Sequence, residues 1–469
     1  MNSKAQPQTY DFIIVGAGIS GSFIAHELCK AGCRCLMLEA GKHFTRQTYP
    51  PTELDGTSQL YWSGGLELNQ DAKLVFLRPK CVGGGSIVNQ ALVDRFDEYA
   101  FDSWREVSGV SFFNVREMEP WYEKAEAELV IQHIPEEYRN RNAMIFQEGF
   151  EKLGYRLAPL RRAQKDCRYQ DGNDCIQCLN GCPIGSKQSM PETVLKRALE
   201  SGLVLEPQFE VETLTLTGED VTVQGVNISG EQTSYGARNL VLAAGAVGNS
   251  KLLLNSGFGE RLPAIGLNFY CHPQYNSFGI YEDEVNSHRG PFQAFKSDDL
   301  GFREAGFKLE NVYAPASAIA MLIGGFGLKN HSYMEQLSHF ACIEVCTRDT
   351  HPGRIRVNGK GKVILQKDLN KEDKRRYQRG VDAINNIFRV TGAKEIINCS
   401  IGIGLHLMGG CGMGVDPGSS VVDPEFHLHG FKNIYVADSS IFPNAPGINP
   451  SLTIMALSKK AAAEILREV

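Results

Sequence analysis

Hydrophobic residues recur along this chain in three rhythms. In "DFIIVGAG" (residues 11–18) they form an unbroken run closed by glycines, which predicts a strand buried on both faces of a parallel sheet. "ISGSFIAHELCKAG" then switches to helical spacing and "CRCLMLEAG" is a second buried strand, so residues 11–41 predict a β-α-β unit. The middle of the chain is more polar and broken, with helices expected over Asn114–Leu129 and Asn142–Leu153 and a turn-rich stretch at Asp166–Met190. "LVLEPQFEVETLTL" and "VTVQGVNISG" alternate as antiparallel strands do, and "ARNLVLAAGAVGNSKLLLNSG" returns to buried strand followed by helix. From Gly266 to Ile401 the pattern is strand-like with one clear helix, Lys371–Val390, before the glycine-rich "IGIGLHLMGGCGMG". The apolar stretch Ala314–Gly327 reads as a core strand, ahead of two other readings, a channel lining and a membrane-facing segment.

These rhythms predict an α/β chain in which one domain is interrupted and resumed. Residues 1–100, 185–265 and 402–469 form the first domain, and residues 101–184 and 266–401 form an inserted α+β domain built on an antiparallel sheet, with a cysteine-rich loop at 166–190. Composition narrows the setting. The chain has 469 residues, with 48 Lys+Arg against 54 Asp+Glu and a net charge of −6. That length suggests roughly two or three structural units. The absence of a basic block argues against nucleic-acid binding. The longest apolar run, near residues 316–328, falls short of the roughly 20 residues that span a bilayer. No charged-then-apolar leader opens the sequence, and its 13 cysteines are an odd number, so a reducing, cytoplasmic setting is expected.

Gly16, Gly18 and Gly21 form G-x-G-x-x-G between the first strand and its helix, and Glu39 closes the second strand. The first glycine makes the turn, the second admits a pyrophosphate to the backbone, the third lets helix and strand pack closely, and the acid accepts from a ribose diol. This is a Rossmann-like dinucleotide fingerprint, which by itself does not separate FAD from NAD. The C-terminal stretch bears on the choice: a strand ending at Ala437–Asp438 leads through a turn to a helix starting near Asn449–Pro450, with Asn as cap and Pro in the first turn. A helix N-terminus aimed at a ring system stabilises negative charge there, as a reduced flavin requires.

With those residues in view, the sequence resembles the glucose–methanol–choline family of FAD-dependent oxidoreductases over most of its length, closer to the cholesterol-oxidase and long-chain-alcohol branches than to glucose oxidase. The resemblance rests on the N-terminal motif, "RPKCVGGGSIVNQALVDR" (Arg78–Arg95), "NLVLAAGAVGNSKLLLNSG" (Asn239–Gly257), "GLNFYCHP" (Gly266–Pro273) and the C-terminal "VVDPEFHLHGFKNIYVADSSIFPNAPGINPSLTIMAL". It implies that His406 is the active-site histidine beside the flavin and Asn449 its partner. Asn89 with Gly84, Gly85 and Ser86 would lie along the flavin. Asp438, Pro450 and Thr453 would hold its ribityl and pyrimidine side, and Val211, Ala244 and Gly245 complete the implied cofactor-binding set. Independently of the resemblance, oxidising an alcohol needs a base for the hydroxyl proton and an acceptor for the carbinol hydride, and histidine titrates in the right range to be that base.

The resemblance implies an FAD-dependent oxidation of a small-molecule alcohol, and the reading taken here is a dehydrogenase that passes electrons to an acceptor other than oxygen, for instance a partner protein, through the cysteine-rich loop described next. An oxygen-using oxidase, a lyase of the same fold and an electron-transfer flavoprotein stay open. Sterol, long-chain alcohol, terpenoid and sugar are all compatible substrates. His427 and His429 read as structural strand residues. Cys167, Cys175, Cys178 and Cys182 follow a C-x7-C-x2-C-x3-C pattern before Pro183, whose last part is similar to an iron–sulfur loop. An iron–sulfur cluster, a metal-free linker, a disulfide and zinc all remain readings of it. A cluster would serve as an electron exit.

Overall fold

The glycine-closed apolar runs meet side by side in the computed structural model, which describes residues 10–167, 175–291 and 293–469. Tyr10–Val15 pairs in parallel with Cys35–Glu39 on one side and Gln232–Leu242 on the other, so Phe12, Ile13 and Ile14 are buried from both faces. Val204–Pro207 and Phe431–Val436 extend this sheet in parallel. An antiparallel hairpin, Phe209–Thr217 with Asp220–Asn227, hangs from Gln232–Leu242. Helices Ile19–Lys30 and Ser451–Glu468 supply much of the apolar cover, through residues such as Phe23, Leu28, Leu457 and Ile465.

The second sheet is built around one long strand, Leu267–Ile280. Gly402–Met408 and Phe340–Thr347 flank it antiparallel, and Phe307–Asn311 and Phe295–Ser297 continue the sheet outward. Helix Lys371–Val390 covers its far face with Val381, Ile384, Ile387 and Phe388, residues spaced three or four apart. Asn370 caps that helix by accepting from the Asp373 N–H at 2.8 Å.

The domain boundaries differ from those expected. Leu74–Phe76 and Gly402–Met408, assigned by sequence to the first domain, pair in parallel with each other inside the second sheet. Helix Val115–Glu126 and all but the first three residues of helix Glu98–Ser108, assigned to the inserted domain, bury Phe101, Trp104, Met118 and Tyr122 in the core of the first. Periodicity identifies an apolar face but not the sheet it lies against. Ala314–Gly327 is not a core strand. Ala316–Leu322 is a helix that buries Ile319 and Leu322, followed by Gly324, Gly325 and Gly327 at positive φ, and Phe326 is 92% exposed. A run rich in alanine, with methionine and leucine at its end, favours helix over strand. Among the described residues no helix is long and apolar enough to cross a membrane.

Candidate active site

A cleft of about 1670 Å³ runs between the two sheets. It exceeds the ~300–1,000 Å³ of a typical single-ligand pocket, leaving room for a dinucleotide and a second molecule. At one end, Gly16 and Gly18 line it where the first strand turns into its helix. Gly16 has φ +106°, and a Cβ there would overlap the Ala243 carbonyl, while a Cβ on Gly18 would meet nothing but the open cleft. That asymmetry is the cradle a pyrophosphate needs. Gly21 does not reach the cleft: a Cβ on it would strike the Gly16 carbonyl oxygen, so its place is in helix–strand packing.

Glu39 lines the cleft with both carboxylate oxygens already engaged, one by the Ala17 N–H and one by the Gly41 N–H, each at 2.8 Å. Each oxygen keeps a second lone pair for a ribose hydroxyl. Gly84, Gly85, Asn89, Val211, Ala244, Gly245, Asp438 and Pro450 also face the cleft. Asp438 works as a cross-link: it accepts from the Gly245 N–H at 2.6 Å and from Asn249 Nδ2 at 2.9 Å. Two of the implied cofactor contacts point elsewhere. Ser86 donates to the Gly83 carbonyl at 2.6 Å and accepts from the Met190 N–H at 3.0 Å, which ties the glycine turn together. Thr453 is fully buried and its hydroxyl bonds that of Tyr122 at 2.7 Å. Both lie one residue or one helix turn behind the surface they were expected to form.

His406 projects into the same cleft from an irregularity in the second sheet. The pairing of Gly402–Met408 with Leu267–Ile280 slips between Tyr270 and His272, and His406 sits there at φ +53°. A bulge of this kind re-aims one side chain out of the strand's alternation. The ring of His406 meets that of His272 edge to face, with the two Nδ1 atoms 3.0 Å apart. His272 is fully buried, and its Nε2 accepts from the Gly447 N–H at 3.0 Å. A neutral His272 therefore carries its proton on Nδ1 and donates to His406 Nδ1, which leaves the proton of His406 on Nε2. Burial, with Lys308 adding to it, pushes His406 down to about 3, and burial holds His272 well below the usual histidine range, so both rings are neutral.

Asn449 also lines the cleft but does not cap its helix, which begins at Ser451 behind Pro450. Its Oδ1 accepts instead from Lys308 Nζ. Lys308 belongs to a polar group that sequence reasoning missed, with Glu310 on the same strand, Glu344 on the next and Gln293 nearby. The signal was present: charged residues at alternate positions in "FKLEN", and one in "FACIEVCT", strands that are mostly apolar and wholly buried. His272 was in view only as part of a motif.

The family model for GMC oxidoreductase matches residues 10–274 and 353–458. The chain belongs to the GMC oxidoreductase family. It is 26% identical over 487 residues to an uncharacterised GMC-type oxidoreductase of Mycobacterium tuberculosis, covering 98% of this chain and 76% of that protein. It is 25% identical over 525 residues to a long-chain-alcohol oxidase of Arabidopsis thaliana, covering 97% of this chain and 67% of that one. The crystal structure of pyridoxine 4-oxidase from Mesorbium loti superposes with a TM-score of 0.75 at 18% identity, over 98% of this chain and 99% of that one, and shows the same fold. As a GMC oxidoreductase the chain is an FAD-dependent enzyme acting on CH–OH donors. The glycine cradle, the Glu39 carboxylate and the helix start at Ser451 all line the cleft and would hold FAD.

The remaining expected residues lie off the cleft. Cys178 packs in an apolar cluster with Phe278, Tyr313 and Phe340, and Cys182 is buried beside it. The Cys178 thiol and burial push the Cys182 thiol up. Cys167 is half-buried, and the side chain of Cys175 lies outside the described residues. His427 is held between Asp423 and Glu468, and His429 bonds Ser420 at 2.9 Å.

Proposed function

We propose that this GMC oxidoreductase oxidises the carbinol of a small-molecule alcohol between His406 and Asn449. The observation that carries this reading is that the histidine, the amide and the glycine cradle all face one cleft, with the histidine ring oriented by His272. Bound FAD supplies the hydride acceptor, which no side chain provides. The chain's own residues manage the hydroxyl. At rest His406 offers Nε2–H to the hydroxyl oxygen, and Asn449, its Oδ1 occupied by Lys308, keeps its Nδ2 donors for the same oxygen. For His406 to take the hydroxyl proton on Nε2, its own proton must sit on Nδ1 and His272 must adopt the opposite tautomer. That leaves the Gly447 N–H without its acceptor, at a cost of about 1–3 kcal/mol for one buried hydrogen bond. The base form of His406 is therefore one tautomer shift from the resting form.

The test is an anaerobic titration of the purified flavoprotein with a panel of alcohols, followed by the absorbance of oxidised flavin. Bleaching is expected. In His406→Ala it should slow by about 10²–10⁴ with flavin content unchanged. A flavin that stays oxidised with every alcohol would favour a lyase, and a variant bleaching at the wild-type rate would remove His406 from the reaction. Admitting air to the reduced enzyme separates an oxidase, which recovers its colour at once, from a dehydrogenase. An iron–sulfur centre is not needed for this reading, and counting iron and acid-labile sulfide in the same sample tests for one.

A further inference from the structure

Across the floor of the cleft three strands place polar residues in a single row. Asn276 pairs with Glu344 and Glu344 with Glu310, so their side chains share one face of the sheet. All three line the cleft together with His406 and Asn449. The ionised groups along this row pair off and leave one carboxyl over. Lys296 donates to Asp94 at 2.6 Å, and Lys308 pairs with Glu310 at 2.5 Å and lies 3.8 Å from Asp94. Two lysines thus answer two carboxylates, and Glu344 is the third. Among the described residues Glu344 makes no ion pair; it shares a hydrogen bond with Glu310. Burial, with Glu310 opposite, holds Glu344 well above the usual carboxylate range.

A second observation points out of the protein. Asn276 is 6% exposed, and its Oδ1 has no hydrogen-bond partner. A buried acceptor left unpaired costs about 1–3 kcal/mol, so its persistence on a cavity wall marks a place for an incoming donor. Between this row and His406 lies the level of Gln274, Cys346 and Lys308, and on the far side of the row the same face turns apolar at Phe278 and Val312.

We infer that Glu344 and Asn276 form a cation subsite, and that the alcohol oxidised at His406 carries a protonated amine on the same molecule. This rests on reading the cleft as an alcohol site and adds the class of alcohol. An ammonium brings the cation that lets Glu344 give up to solvent the proton it shares with Glu310, and N–H donors for the Asn276 carbonyl. A sterol or a plain long-chain alcohol would leave the Asn276 carbonyl buried and unanswered.

The test compares three probes of similar size on the flavin-loaded protein: aminobutanol, pentanol, and butylamine, which lacks the hydroxyl. Calorimetry should show butylamine binding, and aminobutanol should bleach the flavin at about ten- to a hundredfold lower concentration than pentanol. Glu344→Gln should bring that ratio close to one while pentanol still bleaches. If pentanol is at least as effective as aminobutanol on the wild-type protein, the subsite is refuted and the alcohol reading stands. If butylamine binds but no alcohol bleaches, the alcohol reading fails and the subsite survives. The wild-type comparison decides the matter even if Glu344→Gln does not fold.

Discussion

The two sheets that face the cleft treat their polar groups in opposite ways. On the first, the two carboxylates expected to hold the cofactor are tied to the protein: Glu39 to two backbone N–H groups, Asp438 to the Gly245 N–H and Asn249. On the second, the floor keeps a carboxyl without a counter-ion and an amide oxygen without a donor. Two histidines show the same contrast. His427, beside the first sheet, is held as a cation by Asp423 and Glu468, whereas His406 is kept neutral by burial. A surface that binds one invariant ligand through backbone shape can satisfy itself beforehand. A surface that must discriminate among substrates keeps part of its hydrogen-bonding capacity open for them.

The comparison breaks most visibly at the cradle. Gly21→Ala puts a methyl into the Gly16 carbonyl, and because helix and strand are both buried, neither can yield cheaply. Purified Gly21→Ala is expected to lose its flavin almost completely, read as the ratio of flavin to protein absorbance. Full occupancy would mean that the turn is not the anchor. A smaller effect is expected behind the second sheet. His272→Phe removes both the acceptor of the Gly447 N–H and the partner of His406, and should slow anaerobic flavin reduction about a hundredfold through misorientation of one ring. His272→Gln, which can still accept from Gly447, should recover part of that rate. Equal rates in the two variants would reduce His272 to a space-filler.

The smallest expected effect lies at the surface. The hydrogen bond His427 donates to Asp423, helped by Glu468, raises it to about 9 in the folded chain, above its unfolded value of about 6.5. Its stabilisation is therefore fully present below about pH 6.5 and is lost as pH rises through about 9. Melting temperatures measured across that window should fall by ~1–2 °C more in the wild type than in His427→Asn, the modest size expected of a partly solvated pair. Parallel curves for the two proteins would show that the pair contributes nothing.

Much of the first sheet was legible because its constraints are local. A glycine turn, the helix behind it and the acid ending the next strand lie within residues 11–41, and each states its own requirement. The candidate site was legible only in part. His406 and Asn449 could be named through a resemblance, but not the bulge that turns the histidine, nor the lysine that takes the amide oxygen of the asparagine. Ser86 and Thr453 show the converse: residues inside a cofactor motif whose side chains face inward to hold the motif in shape.

The sequence by itself determined the nucleotide cradle, the alternation of buried strands and helices, and the family, because these depend on side-chain period and on backbone freedom at single glycines. Only the tertiary structure decided that strand 402–408 crosses into the second sheet, that His272 lies behind His406 although 134 residues separate them, and that Asn276, Glu344 and Glu310 line up across three strands. The physical reason is strand register. Each strand's alternation shows which residues share its face, but which residues of other strands stand beside them depends on pairing between segments far apart in the chain.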